Sequence, residues 1–332
     1  MSLVNDSLRG VLRPSVASAR RLALASVIAN AVLMCTGAAV RLSSSGLGCP
    51  DWPQCTQSSL VAARSAGQTS LNTAIEFGNR LLTYPLAAVA GLTFIACVRY
   101  SCGERRDLVR LSAMLPLGVI AQAVVGGFTV LTRLNPAMVA THFLLSVAIL
   151  AAAVLLHVRT GEEPGPARPV VRADLRILAA LLVGGTTLML AAGTVVTGSG
   201  PLAGTIIDSG GHRTTVPRFH FPLAGVTQLH ADIGWFIGAL SVALAIGLWH
   251  SGAPRPAIRS SRLVLAALGV QGVIGYVQYF SHLPAGLVWV HVVMAVILWI
   301  LVLRLYLSTR TRGHPAATPA QETVQRDKAG AS

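Results

Sequence analysis

Long apolar blocks, separated by short polar segments, recur along almost the whole chain. A bilayer core takes about 20 predominantly apolar residues per helix. Eight segments meet that requirement, at about 21–42, 72–99, 108–131, 136–159, 174–197, 223–249, 260–281 and 284–308. Helices are the expected form, because backbone polar groups in hydrocarbon must be satisfied within their own segment. The basic N-terminal stretch followed by an apolar run has the outline of a signal peptide. The run is long enough to span and no small-residue cleavage site follows it, so it reads as a retained first helix. From residue 309 the periodicity stops, and 309–332 reads as a disordered cytoplasmic tail.

Composition agrees with this pattern. Hydrophobic residues make up 53% of the 332 and charged ones only 11%, well under the roughly 25% of soluble domains. The net charge of +14 would suggest nucleic acid in a soluble protein, but here it sorts by side. Twenty basic residues fall at the N-terminus (Arg9, Arg13, Arg20, Arg21), in the even-numbered loops and after the last span. Arg41, Arg64, Arg133, Arg213 and Arg218 fall on the other side, and Arg80 lies inside the second span. The positive-inside rule accounts for that asymmetry, places both termini in the cytoplasm, and removes nucleic acid as a partner.

The chain also repeats itself. With an offset of 149, Gln122, Val124, Gly126, Leu134, Val139, His142 and Val147 fall on Gln271, Val273, Gly275, Leu283, Val288, His291 and Val296. A weaker echo sets Gly37, Val40 and Ser43 on Gly193, Val196 and Ser199, and places Asn79 where His230 stands. Four spans separate the copies, so they share one orientation. The expected fold is all-α and integral to the membrane, with eight transmembrane helices arranged as two pseudo-symmetric four-helix bundles. The halves are 1–160 and 174–308, joined by a cytoplasmic linker at 161–173.

Ionisable groups at membrane depth are costly and need partners. Glu76, Asn79 and Arg80 share one face of the second span at i, i+3 and i+4. His142, His230 and His291 each sit six or seven residues inside the fourth, sixth and eighth spans. At 1.5 Å per residue, all six lie about 10 Å below the outer surface, in one layer. Histidines facing each other across a bundle at equal depth are what axial heme ligation requires, and His230 with His291 supplies that pair. In the other half His142 is matched by Asn79, a poor iron ligand. His157, His212, His220, His250, His282 and His314 lie at helix ends, in loops or in the tail and read as ordinary interfacial residues. Glu76 and Arg80 read either as an intrahelical ion pair or as a proton-handling carboxylate beside a propionate-binding arginine.

The first outer loop contains CPDWPQC, and Cys49 and Cys55 are six apart on the oxidising side. A disulfide fits there, either as a staple or as a redox-active pair that exchanges with a partner thiol. Zinc does not fit, because two cysteines without neighbouring ligands fall short of four-coordination.

GAAVRLSSSGLGCPDWPQC, EFGNRLL, THFLLS, QLHADIGW and WVHVVMA together resemble the bacterial heme A synthase family over roughly residues 20–308. The resemblance implies a plasma-membrane enzyme that oxidises the C8 methyl of heme O to a formyl group, by successive hydroxylations, for cytochrome oxidase. It implies a resident heme b between His230 and His291, heme O as substrate with His142 as its ligand, and Glu76 as the acidic residue needed for activity. Arg41 and Arg80 would pair with propionates, and Cys49 and Cys55 match the family's loop cysteines. Implied partners are the membrane farnesyltransferase that makes heme O, an unidentified electron donor and the lipid bilayer. Two departures stand out: many members have histidine at the place of Asn79, and some carry a second cysteine pair in the loop at about 198–222, which this chain lacks.

Three other classes compete with that reading. A b-type electron-transfer cytochrome would leave Glu76 and the cysteines without a role. A transporter would place its ionisable groups at the midplane and break matching helices with Gly or Pro. A thiol-oxidising enzyme would need a second nearby cysteine pair, which Cys35, Cys97 and Cys102 are not spaced to supply.

Overall fold

The structure, a computed structural model, describes residues 14–49, 51–55, 70–101, 104–207 and 213–313. Arg9, Arg13, Arg64, Cys102, His212, His314, Arg326 and Lys328, and the expected tail from 314, lie outside the described residues. Nine helices appear among the described residues: α1 (Val16–Leu42), α2 (Ser70–Leu81), α3 (Thr83–Ser101), α4 (Arg106–Leu131), α5 (Pro136–Arg159), α6 (Ala173–Ser199), α7 (Leu223–His250), α8 (Arg255–Phe280) and α9 (Ala285–Ser308). With α2 and α3 forming one broken span, eight helical segments are long and apolar enough to cross a membrane. The protein is an all-α integral membrane protein.

Local chemistry explains the element boundaries. Ser15 opens α1 with a capping box, its hydroxyl accepting the Ser18 amide at 3.2 Å. Asn135 caps α5, with Pro136 at the first helical position. The second span, expected to run unbroken over 72–99, is interrupted at Leu82. Pro85 is the cause: it has no N–H for the Leu81 carbonyl, and its ring crowds that carbonyl. The short outer helix α2 is therefore free to lean away from the axis of α3, and it carries Glu76, Asn79 and Arg80.

Each half closes a ring of four spans. In the first, α1 packs on α3 and α5, and α4 on α3 and α5; in the second, α6 packs on α7 and α9, and α8 on α7 and α9. The halves meet where α1 and α5 lie against α6 and α9. Trp299 of α9 is 4% exposed, joins the core of the first half and donates to the Val147 carbonyl of α5 at 3.1 Å. Trp289 Nε1 donates to the Cys35 carbonyl of α1 at 2.9 Å. Large apolar side chains such as Leu117, Ile120, Ile177 and Phe280 point outward, as lipid-facing positions require.

The repeat extends to the backbone. Arg133 and Leu134, between α4 and α5, have φ of 53° and 60°; His282 and Leu283, the same offset of 149 away between α8 and α9, have 61° and 59°. In both turns the leucine amide bonds back to a carbonyl, Leu134 to Thr129 at 2.9 Å and Leu283 to Gln278 at 2.8 Å. Non-glycine residues seldom enter this region, so two consecutive ones recurring at the same offset identify one turn used twice.

The arginine-rich end departs from expectation. Residues 309–313 do not begin a disordered tail: Arg310–Arg312 pairs antiparallel with Ala167–Pro169 of the linker. Arg312 donates to the Gly165 carbonyl at 3.0 Å, and Arg105 reaches the carbonyls of Glu162 and Arg159 at 3.1 Å each. Backbone pairing and arginine–carbonyl bonds carry no hydrophobic periodicity, so this clasp leaves no mark that apolar patterning detects.

Trp299→Ala removes a buried aromatic ring and its bond between the halves. Loss of about 3–5 kcal/mol is expected, read as a lowered thermal unfolding midpoint in detergent.

Candidate functional site

A largely apolar cavity of about 2300 Å³ extends through both halves, with His142, His230, His291, Glu76, Asn79 and Arg41 on its wall. Ordinary ligand pockets are about 300–1,000 Å³, so this one has room for two large molecules. The layer of polar residues expected from the sequence is brought together on one continuous wall.

The histidines are positioned by the helix that each one faces. A methyl group built on Gly126 of α4, Gly193 of α6 or Gly275 of α8 would stand 3.1, 3.3 or 3.3 Å from Cε1 of His142, His230 or His291. Each imidazole thus lies close to bare backbone, where an added side chain would crowd the ring by a few tenths of an ångström. Gln122 and Gln271 complete the arrangement, each donating to the carbonyl of its facing histidine, His142 and His291, at 3.1 Å. The roles of these glycines and glutamines were not read from the sequence, although all five are among the residues matched by the repeat.

In the second half, the rings of His230 and His291 have centroids 6.4 Å apart and are tilted by 59°. A metal–nitrogen bond of about 2 Å on each side, plus the distance of about 1 Å from ring nitrogen to centroid, gives a separation of about 6 Å. The gap therefore fits one metal atom bonded to both rings. Among the described residues, no group of three or more His, Cys, Asp and Glu could hold a metal ion by itself. A metal held between the two rings would have to bring further ligands of its own. The Cε1–Nδ1 edge of each ring is buried against the facing helix, and His142, His230 and His291 all line the cavity.

Above the first half lies the cysteine loop. Cys49 and Cys55 are bonded to each other and buried. The Cys49 amide donates to Glu76 Oε2 at 2.9 Å. Arg80 donates to Glu76 Oε1 from Nε at 3.1 Å and from Nη2 at 2.7 Å. It also donates to the carbonyls of Cys49, Asp51 and Gln54 at 2.7, 3.2 and 3.3 Å. These bonds occupy all five guanidinium donors, leaving none for a propionate. With Glu76, Arg80 clamps the loop onto α2. Trp52 at the loop tip seals against Gly127 of α4, where an added methyl would come within 2.6 Å of the indole.

Arg41 is placed differently. Its Nη2 donates to the Thr197 carbonyl across the boundary between the halves at 3.4 Å, while its buried Nε has no partner. The residue itself lines the cavity. Elsewhere, His157 Nδ1 donates to the Arg20 carbonyl, 3.3 Å away at the arginine-rich end, and Cys35 and Cys97 are free thiols.

Arg80→Ala would leave the Glu76 carboxylate, 5% exposed, without its cation. A loss of about 3–5 kcal/mol in unfolding stability is expected, together with faster alkylation of Cys49 and Cys55 after mild reduction. Glu76→Gln retains an acceptor for the Cys49 amide and is expected to cost less in the same two measurements.

Residues 20–303 match the family described as cytochrome oxidase assembly protein, COX15-CtaA. A protein named heme A synthase from Bradyrhizobium sp. (strain ORS 278) is 27% identical over 319 residues, covering 80% of this chain and 84% of the relative. Proteins of the same name from Shewanella oneidensis and Lysinibacillus sphaericus are 25% and 29% identical over 144 and 135 residues. Those two matches cover 43% and 42% of the relatives, so the chain spans under half the length of each. With the family match running through all eight spans and both histidine-bearing halves, the chain belongs to the COX15-CtaA family of cytochrome oxidase assembly proteins.

Proposed function

We infer that the protein is a heme A synthase, converting heme O to heme A by oxidising the C8 methyl to a formyl group. The observation that carries this reading is the paired arrangement in one cavity: two imidazoles spaced for a single iron in one half, and His142 cradled in the same way in the other. In this assignment 174–308 holds a resident heme b between His230 and His291, and 1–160 receives heme O on His142. When bound, the hemes supply one-electron chemistry in the second half and the carbon to be oxidised in the first.

The residues of the chain bind, orient and exclude water. Gly126, Gly193 and Gly275 fix the imidazoles, so that no reorganisation is needed when iron is bound. Arg41, which lines the cavity at the boundary between the halves, is suited to a propionate. The disulfide loop, clamped by Arg80 and with Trp52 against Gly127, forms part of the cavity wall in the first half. The Glu76 carboxylate lines that cavity while already bonded through both oxygens. That engagement favours a fixed negative charge, stabilising positive charge that develops near the methyl carbon, over a group that exchanges protons. The arginine distribution supports a plasma-membrane orientation with both termini in the cytoplasm.

Expressed in a host that makes heme O but no heme A, the purified protein should yield heme B together with heme A or its hydroxymethyl precursor on extraction and mass analysis. His142→Ala and Glu76→Ala should retain heme B and lose the oxidised products. Heme B alone from the unaltered protein, with heme O present in the same membranes, would overturn the assignment in favour of an electron-transfer cytochrome.

A further inference from the structure

Asp232 is placed unlike any other carboxylate among the described residues. It lies about 13 Å along α7 from the outer end of that helix. Apart from Glu76, the other described acids lie in loops or in the first turn of a helix. Glu76 is answered by Arg80. Asp232 is exposed, and among the described residues its partner is an amide and not a cation: Gln228 Nε2 donates to Oδ1 at 2.7 Å. A carboxylate at that depth is costly unless something further binds it.

Gln228, Asp232 and Trp235 follow one another at i, i+4 and i+7, forming a stripe along α7. Trp235 reaches across to α8, where its Nε1 donates to the Tyr276 hydroxyl at 3.0 Å. Tyr276 in turn stacks on Phe280, with centroids 6.3 Å apart and planes inclined by 17°. All three rings are exposed. Gln228, Trp235, Tyr276 and Phe280 also line the cavity that contains His230 and His291. Between the two helices there is open space: methyls built on Gly238 of α7 and on Gly269 and Gly272 of α8, all on the cavity wall, meet nothing within 4 Å. The Gln228–Asp232 bond therefore joins an exposed carboxylate to the cavity wall.

We propose that the groove between α7 and α8 binds the ring of a lipid-soluble quinol, with the Asp232 carboxylate accepting a quinol hydroxyl, and that this quinol is the electron donor. Carboxylate oxygens only accept, so the ligand must bring a donor of its own. Trp235, Tyr276 and Phe280 offer ring faces to a flat aromatic molecule. A protein helix docked from outside could satisfy Asp232 but would leave the open groove behind it unfilled. Oxidation of the quinol to its quinone breaks two O–H bonds and releases two electrons and two protons. Asp232 takes the protons in turn and passes them to water at the outer surface. The electrons go singly to ferric heme iron in the second half, which becomes ferrous each time.

The electron step rests on the reading that the second half holds heme b, and the test keeps the two apart. Full-length protein purified in detergent is titrated calorimetrically with a short-tailed benzoquinol, a short-tailed naphthoquinol and their quinones. The unaltered chain should bind at least one of the quinols. Asp232→Asn should weaken that binding about tenfold or more, equivalent to about 1.4 kcal/mol, and leave quinone binding intact, because a carboxamide can donate to a quinone carbonyl. Trp235→Leu should weaken both forms. On anaerobic mixing, the quinol should reduce the heme of Asp232→Asn about tenfold more slowly than that of the unaltered chain, while dithionite reduces both alike.

No quinol binding by the unaltered chain, or binding indifferent to Asp232→Asn and Trp235→Leu, would overturn the site. A lower oligomeric mass in Asp232→Asn with quinol affinity unchanged would overturn it in favour of a protein contact. Asp232-dependent binding to a protein with no dithionite-reducible heme would support the site and overturn the heme reading. A dithionite-reducible heme that bound quinol leaves ferric would overturn the donor role alone.

Discussion

The outer ends of both bundles depend on a close approach: an imidazole pressed onto helix backbone at a glycine. In a membrane bundle no hydrophobic force draws helices together, and contact comes from packing and from polar groups that find partners. A buried imidazole with a free nitrogen is costly in that setting. Gly126, Gly193 and Gly275 set the distance, Gln122 and Gln271 tie down the helix that carries the ring, and the turns at Arg133–Leu134 and His282–Leu283 set where α5 and α9 begin. The depth of His142 and His291 below the outer surface follows from those turns, six residues after each helix start.

Duplication explains how one solution came to be used twice, and divergence shows where the halves have been given different work. The second half keeps imidazoles at both of its places. The first half exchanges one of them for Asn79 and adds what the second lacks, a disulfide loop fastened by Glu76 and Arg80. The break at Leu82 serves that addition. By interrupting the span, Pro85 lets α2 be oriented by the loop it carries and not only by α3, so the clamp and the site below it are positioned together.

Much of this was legible in the chain because the signals are periodic. Eight apolar blocks, an arginine imbalance and a repeat at an offset of 149 predict the spans and the pairing of the halves, and the structure has eight spans with ends close to those expected. The three histidines stand out because polar residues are scarce at that depth. What escaped notice depends on direction, not on composition. Arg80 beside Glu76 reads the same whether its remaining donors face a ligand or the loop above; only the fold shows the carbonyls of Cys49, Asp51 and Gln54 within reach. The strand at Arg310–Arg312 is bonded through backbone, which no side-chain pattern records.

The asymmetry at Asn79 bears on how the two halves divide their labour. On the proposed reading, an iron held by two imidazoles would change little in geometry when its charge changes, which would suit a resident group that passes electrons. A site that must admit a large substrate, act on it and release it gains from weaker anchoring, and one imidazole holds less tightly than two. The loop over the first half, fastened through Arg80 and Trp52, then provides confinement that a second ligand would otherwise supply. A loop can open without breaking a metal bond. On that reading, a single imidazole and the clamp are complementary, and both fall in the half assigned to the substrate.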